Sequence, residues 1–241
     1  MRWPAAAVLM MATACQAGGG GGSELVVFAA SSLTEAAEEL ASAQSNQGGR
    51  PVDLVLGGSA ALAAQIRDGA PADVFLSADR RWAVEVAEFC APACAVRAFA
   101  TNSLILAVPS GNPAEVTGLE DLSRPDLRVV LCDRAVPCGE LGERVTTSSQ
   151  VMPDADSFAS SVRSVRTLLE LDEADVGLIY ATDVTDAVDV VPDERVDGST
   201  TTYFYVVLDA ADPGSEFLTD FISGPSGQGI LERLGFGTVM S

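Results

Sequence analysis

Between Leu25 and Phe89 the chain three times runs from a short apolar strand pattern, through a turn of small residues with a serine, into a helical pattern. The first unit is LVVFAASSLTEAAEEL (Leu25–Leu40), with the strand at Leu25–Phe28. There Ser32 stands as the expected N-cap and Glu35 completes an S-x-x-E capping box. The second pairs Val52–Leu56 with Gly57-Gly58-Ser59 and Ala60–Gly69, where Leu62 and Ile66 share a helix face and Gly69 stops it. The third joins Asp73–Leu76 to Ser77-Ala78-Asp79 and a helix reaching about Phe89. Repeated βα units require a parallel sheet covered by helices, so the fold class is α/β. Each such turn also leaves helix N–H groups facing outward, where partial positive charge favours an anion.

The remaining chain repeats this grammar. Leu104–Val108 reads as a strand bounded by Asn102-Ser103. A Thr117–Glu120 capping box opens a short helix, Leu127–Leu131 is a strand, and Pro137-Cys138-Gly139 starts a helix with proline where its missing N–H costs nothing. Ser160–Leu171 is an amphipathic helix, and Val176–Tyr180, Val188–Val191 and Thr201–Leu208 are strands. Pro213–Ser223 and Pro225–Gly235 are closing helices with no sheet partner of their own, so they return to the first lobe. The expected organisation is two α/β lobes, residues 24–101 with 206–241 and residues 102–205. They are joined by crossing segments near Ala100–Leu104 and Thr201–Tyr205.

The 34 acidic and 14 basic residues give a net charge of -20, which excludes nucleic acid as a partner. The chain has no histidine, so Ser-His-Asp and Cys-His nucleophile systems and His-ligated metal sites are excluded as well.

Residues 1–14 have the form of an export signal: Arg2, then the apolar run Pro4–Met11, too short to span a bilayer. Ala12-Thr13-Ala14-Cys15 resembles a lipobox, which implies cleavage before Cys15 and a lipid on that residue. Residues 15–23 continue as a flexible Gly/Ser tether. The expected location is the cell envelope, lipid-anchored at the outer face of the cytoplasmic membrane or periplasmic. Cys90, Cys94, Cys132 and Cys138 remain, and an exported chain meets oxidising surroundings. The local pairs Cys90–Cys94 and Cys132–Cys138 are the favoured disulfides; a four-cysteine zinc site is the competing reading, against which the spacings speak.

FAASSL, GGSAALAAQI, GAPADVFLSAD, NSLILAVP, AVPCG, SVRSVRTLLE and VGLIYATD occur in this order from about Leu25 to Phe236. Together they resemble the periplasmic molybdate-binding proteins of ABC importers. The resemblance implies a two-lobed, type II-like periplasmic-binding-protein fold with the ligand in the cleft. It also implies a tetrahedral oxyanion, molybdate or tungstate, held by neutral donors. Carried over by position, the ligand set falls on Ser32, Ser59, Cys138, Val162 and Tyr180, with Ser31 as a possible neighbour. Cys138 stands where the family has an alanine that gives only its N–H. A disulfide to Cys132 would stiffen that loop, whereas a sulfur facing the cleft would put the contact in doubt.

The resemblance implies capture without catalysis, no cofactor, a monomer, and delivery to an ABC permease. A donor-only site favours an oxyanion carrying no proton, and the size of the cavity would then exclude sulfate. The competing readings are the same fold binding sulfate or a tyrosine-held ferric ion, an exported hydrolase using paired carboxylates, and a purely structural surface lipoprotein.

Overall fold

The computed structural model describes residues 24–90, 94–209 and 212–239. The signal, Cys15 and the tether lie outside the described residues. Among those described, no helix is long and apolar enough to cross a membrane.

The first lobe is built on β1 (Leu25–Ala30), β2 (Val52–Gly57) and β3 (Val74–Ser77), with β1 pairing in parallel to both neighbours. Its helices are α1 (Thr34–Asn46), α2 (Ser59–Arg67) and α3 (Arg80–Phe89). The central strands bury both faces, as expected where helices cover a parallel sheet. Leu25, Val27 and Ala29 pack with Val74 and Leu76 in one core, while Phe28 and Phe75 point into the other. This is the period of two at work: alternate side chains serve opposite layers.

The chain then enters β4 (Val96–Pro109), a continuous strand of 14 residues. Asn102-Ser103 does not bound this strand, as the sequence suggested; both residues lie inside it. Residues Val96–Ser103 pair with the last strand in the first lobe's sheet, and Leu104–Ala107 pair with the second lobe's β7 (Val176–Tyr180). One strand thus belongs to both lobes.

The second lobe adds β5 (Val129–Cys132), α4 (Pro137–Ser148), β6 (Ser157–Ala159), α5 (Val162–Glu170), β8 (Val188–Val191) and the short α6 (Glu194–Asp197). The expected Thr117–Glu120 box does not form. The Thr117 N–H and hydroxyl donate to Asp121 instead, beside a 3-10 turn at Leu119–Ser123. A single core from Leu104 to Val196 fills this lobe.

The return crossing is β9 (Thr200–Val207), antiparallel to β4 and β3. Its first residues, Thr200–Tyr203, pair with Ala100–Ser103 of β4. α7 (Pro213–Ser223) and α8 (Pro225–Arg233) then cover the first lobe, where Leu218, Phe221, Ile222 and Leu231 join the core of β1 and α1. The strand order β2-β1-β3-β9-β4-β7-β5-β6, with β8 on β4, runs through both lobes by way of β9 and β4.

Cys90 is bonded to Cys94 and Cys132 to Cys138, with Cα–Cα separations of 5.6 and 5.8 Å. All four of these sulfurs are thereby engaged, which leaves no thiolate zinc site among the described residues.

Candidate functional site

In sheets of this kind ligands bind beyond the carboxyl ends of the strands. β1, β2 and β3 end at Ala30, Gly57 and Ser77; β5, β6 and β7 end at Cys132, Ala159 and Tyr180. The segments after these ends face one another across a cavity of about 20 Å³. Ser31, Ser32, Ser59 and Ala78 line it from the first lobe, and Cys138, Ser161, Val162 and Tyr180 from the second. By a measure on which one water needs roughly 10–15 Å³, this holds an ion of a few atoms and no sugar or peptide.

Four helical N-termini open onto the cavity. A 3-10 turn at Ser31–Leu33 precedes α1; α2 begins after Gly58, α4 after Val136 and α5 after Ser161. The first N–H groups of a helix have no partner within it. Pro137 opens α4 and has no N–H, so Cys138 supplies the first donor there. Ser161 Oγ accepts from the Ser164 N–H at 3.2 Å, which satisfies one donor of α5 and leaves that of Val162 to the cavity.

The two serines are fixed as donors. Ser59 Oγ accepts from the Ala78 N–H at 3.0 Å. Ser32 Oγ accepts from Tyr203 Oη at 2.9 Å, and Tyr203 Oη accepts in turn from Asn102 Nδ2 at 3.2 Å. Asn102 is oriented by its own backbone neighbour: Oδ1 takes the Ser103 N–H at 2.9 Å. With a lone pair of each serine engaged, the hydroxyl proton is free for the cavity. Ser32 therefore does not cap α1. The 3-10 turn displaces the helix start to Thr34, Leu33 occupies the cap position, and Glu35 reaches Arg163 rather than the Ser32 backbone.

Tyr180 ends β7, is 1% exposed, and its hydroxyl has no hydrogen-bond partner among the described residues. The Thr201 hydroxyl lies nearby but donates to the Ala78 carbonyl at 2.6 Å. Burial, then the proximity of Tyr203 and Asp79, push the Tyr180 phenol well above its ordinary value, so it remains a donor.

The lobes meet closely here. A Cβ on Gly58 would lie 2.7 Å from the Ser160 carbonyl of the opposite lobe. Cys138 Sγ is tied to Cys132, and a side chain on Gly139 would strike the Asp133 carbonyl, so the first turn of α4 is pinned against the end of β5. Among the described residues one carboxylate trio, Asp73, Asp209 and Asp212, is close enough to hold a cation. It sits at the opposite end of β3 from the cavity. Asp73 there accepts the Val26 N–H, and Asp212 pairs with Arg50.

Residues 25–237 match the family of bacterial extracellular solute-binding proteins. The chain belongs to that family. Its relatives include the molybdate-binding protein ModA of Mycobacterium tuberculosis, 32% identical over 191 residues that cover 77% of this chain and 73% of the relative. ModA of Escherichia coli is 30% identical over 223 residues, 85% of each chain. Among solved structures, the substrate-binding domain of a putative molybdenum ABC transporter from Clostridium difficile superposes with a TM-score of 0.63 at 26% identity, covering 90% of this chain and 99% of that one. The shared architecture is the two-lobed periplasmic-binding-protein fold, and the family is one of ligand capture rather than catalysis, which leaves the hydrolase reading without support.

The structure brings Ser31, Ser32, Ser59, Cys138, Val162 and Tyr180 to the one cavity. Sequence reasoning missed Tyr203, Asn102, Ala78, Gly58 and Arg163. Tyr203 alternates with the half-buried Thr202 and Phe204 in TTYFY, which places it on the opposite face from them. Nothing local says that this face leads to Ser32, 171 residues away.

Proposed function

We propose that this protein captures molybdate, and tungstate equally by size, outside the cytoplasmic membrane and delivers it to an ABC importer. The observation that carries this is the polarity of the cavity: Ser32 and Ser59 each have a lone pair taken by an internal donor. Ser32 and Ser59 donate from the first lobe with the adjoining N–H groups of Ser31 and Ser32. The N–H groups of Cys138 and Val162 and the Tyr180 hydroxyl donate from the second.

No side chain in this set is cationic. Several neutral donors backed by helix N-termini stabilise a dianion in a small, water-poor space, because each is already aimed and loses little freedom on binding. A protonated oxyanion would bring a donor to a site without an acceptor, which disfavours phosphate. Sulfate has shorter bonds, and donors spaced for a larger ion would be left under-satisfied around it. The ion is cargo; the scheme needs no cofactor and no second copy of the chain. The names of the M. tuberculosis and E. coli relatives support the choice of ion. A lipid on Cys15 and the tether at residues 16–23 would keep the lobes beside the permease.

Titration calorimetry of the mature protein with molybdate, tungstate, sulfate and phosphate tests the reading. Heat with molybdate and tungstate, and none with phosphate, is expected. Tight sulfate binding without molybdate heat would replace the ion by its smaller rival.

A further inference from the structure

Among the described residues no cationic side chain lines the cavity, yet one stands a residue outside it. Arg163 follows Val162 in the first turn of α5. Its side chain crosses to the first lobe, where Nε donates to the Ser31 carbonyl at 2.8 Å and Nη2 pairs with the Glu35 carboxylate. The Ser31 carbonyl and the Ser32 N–H belong to one peptide group. A guanidinium on the carbonyl oxygen draws electron density toward it and strengthens the N–H as a donor. A positive charge can therefore act on the bound anion without touching it.

Arg163 is held from behind. Asp183, 1% exposed and without a hydrogen-bond partner among the described residues, lies 3.7 Å from Arg163 Nε and 3.9 Å from Arg166 Nη1. Asp183 sits just past Tyr180, so the support for the arginine and a cavity donor share one turn. Burial opposes the charge on Glu35, but Arg163 outweighs it and holds that carboxyl below its ordinary value. Other bonds between the lobes, from Thr201 to the Ala78 carbonyl and from Asn102 to Thr182, involve the crossing strands themselves. The bridge made by Arg163 instead joins α5 to the 3-10 turn and α1.

We propose that Arg163 is a closure latch: a positioning residue that locks the Val162 turn over the bound oxyanion and polarises the Ser31–Ser32 peptide toward it. The inference rests on the oxyanion reading above. Closure and capture then reinforce one another, since the latch forms only when the lobes meet and the anion is most strongly held when the latch is formed. Encounter occurs in the open state, so the latch acts on departure.

Calorimetry and stopped-flow kinetics with sodium molybdate compare the unaltered protein with Arg163→Gln, Arg163→Lys and Glu35→Gln. Arg163→Gln is expected to weaken binding about 10- to 100-fold, the range for a lost charged hydrogen bond. The loss should lie in the dissociation rate, with association changed less than about threefold. Small-angle scattering should show less compaction on adding molybdate. Arg163→Lys should fall between, keeping the charge without the planar fork, and Glu35→Gln should lose less because the carbonyl bond remains. An unchanged dissociation rate in Arg163→Gln, or a loss confined to association, overturns the latch. If Arg163→Gln does not fold, wild-type dissociation in Arg163→Lys overturns it instead. Absence of molybdate heat in the unaltered protein overturns the ligand reading, and the latch with it.

Discussion

Tyr203 Oη donates to Ser32 Oγ across 2.9 Å, between a strand that links the lobes and the turn that opens the chain's first helix. The bond fixes which way the Ser32 hydroxyl faces. Tyr203 is fully buried, and burial pushes its phenol well above the ordinary value, with Ser32 and Asn102 only partly offsetting the rise. Its proton is therefore present at every physiological pH.

Tyr203→Phe removes that proton and lets Ser32 accept as well as donate. Molybdate affinity should fall about tenfold for one lost polarising bond, and discrimination against phosphate should narrow. Asn102 keeps its bond to Thr182, so the fold is retained. Calorimetry with both anions checks this; an unchanged ratio of affinities would show that Tyr203 does not set selectivity.

Tyr180→Phe separates binding from stability. The buried Tyr180 hydroxyl has no hydrogen-bond partner among the described residues, so its removal should leave the melting temperature of the ligand-free protein equal or higher. Molybdate binding should weaken by about 1–3 kcal/mol. A fall in melting temperature with unchanged affinity would assign the hydroxyl to the fold.

Gly58→Val tests closure. The backbone at Gly58 has φ -65°, which valine tolerates, so the open protein should fold. The added side chain meets the Ser160 carbonyl of the other lobe. Scattering should then show no compaction with molybdate, and affinity should drop by at least about 100-fold, because the second lobe's donors no longer reach. Wild-type affinity in this variant would mean that the lobes need not close as tightly as they do here.

Asp183 supplies a pH dependence. Burial raises its carboxyl to about 7, against the opposing pull of Arg163 and Arg166. Between the ordinary value near 4 and about 7, the folded state binds this proton more tightly than the unfolded state, so stability falls as pH rises through that window. Asp183→Asn should remove up to a few kcal/mol of this dependence between about pH 4 and 7. Urea unfolding across that range measures it; an equal slope in both proteins would place the pH dependence elsewhere.

Much of the architecture was legible in the chain. The βα turns at Ser32, Ser59 and Asp79 announced a parallel sheet covered by helices. The motif order carried the cavity residues from both lobes. Errors fell where a local rule met a tertiary competitor. Ser32 and Glu35 satisfy the capping-box pattern, but Ser32 serves Tyr203 and Glu35 serves Arg163. Asn102-Ser103 looks like a strand boundary, yet each lobe supplies partners to its own half of β4, so the strand runs through.

By itself, then, the sequence determined the elements, the class of fold, and the small residues and donors placed at strand ends, because these follow from periodicity and steric preference within a few residues. Tertiary structure alone decided the direction of each donor. Whether a serine hydroxyl caps its helix or faces a cleft depends on what occupies its lone pair, and for Ser32 that partner is 171 residues distant. The opening turn supplies donors through its local geometry; Tyr203 and Arg163, brought to it from β9 and the opposite lobe, give those donors their polarity.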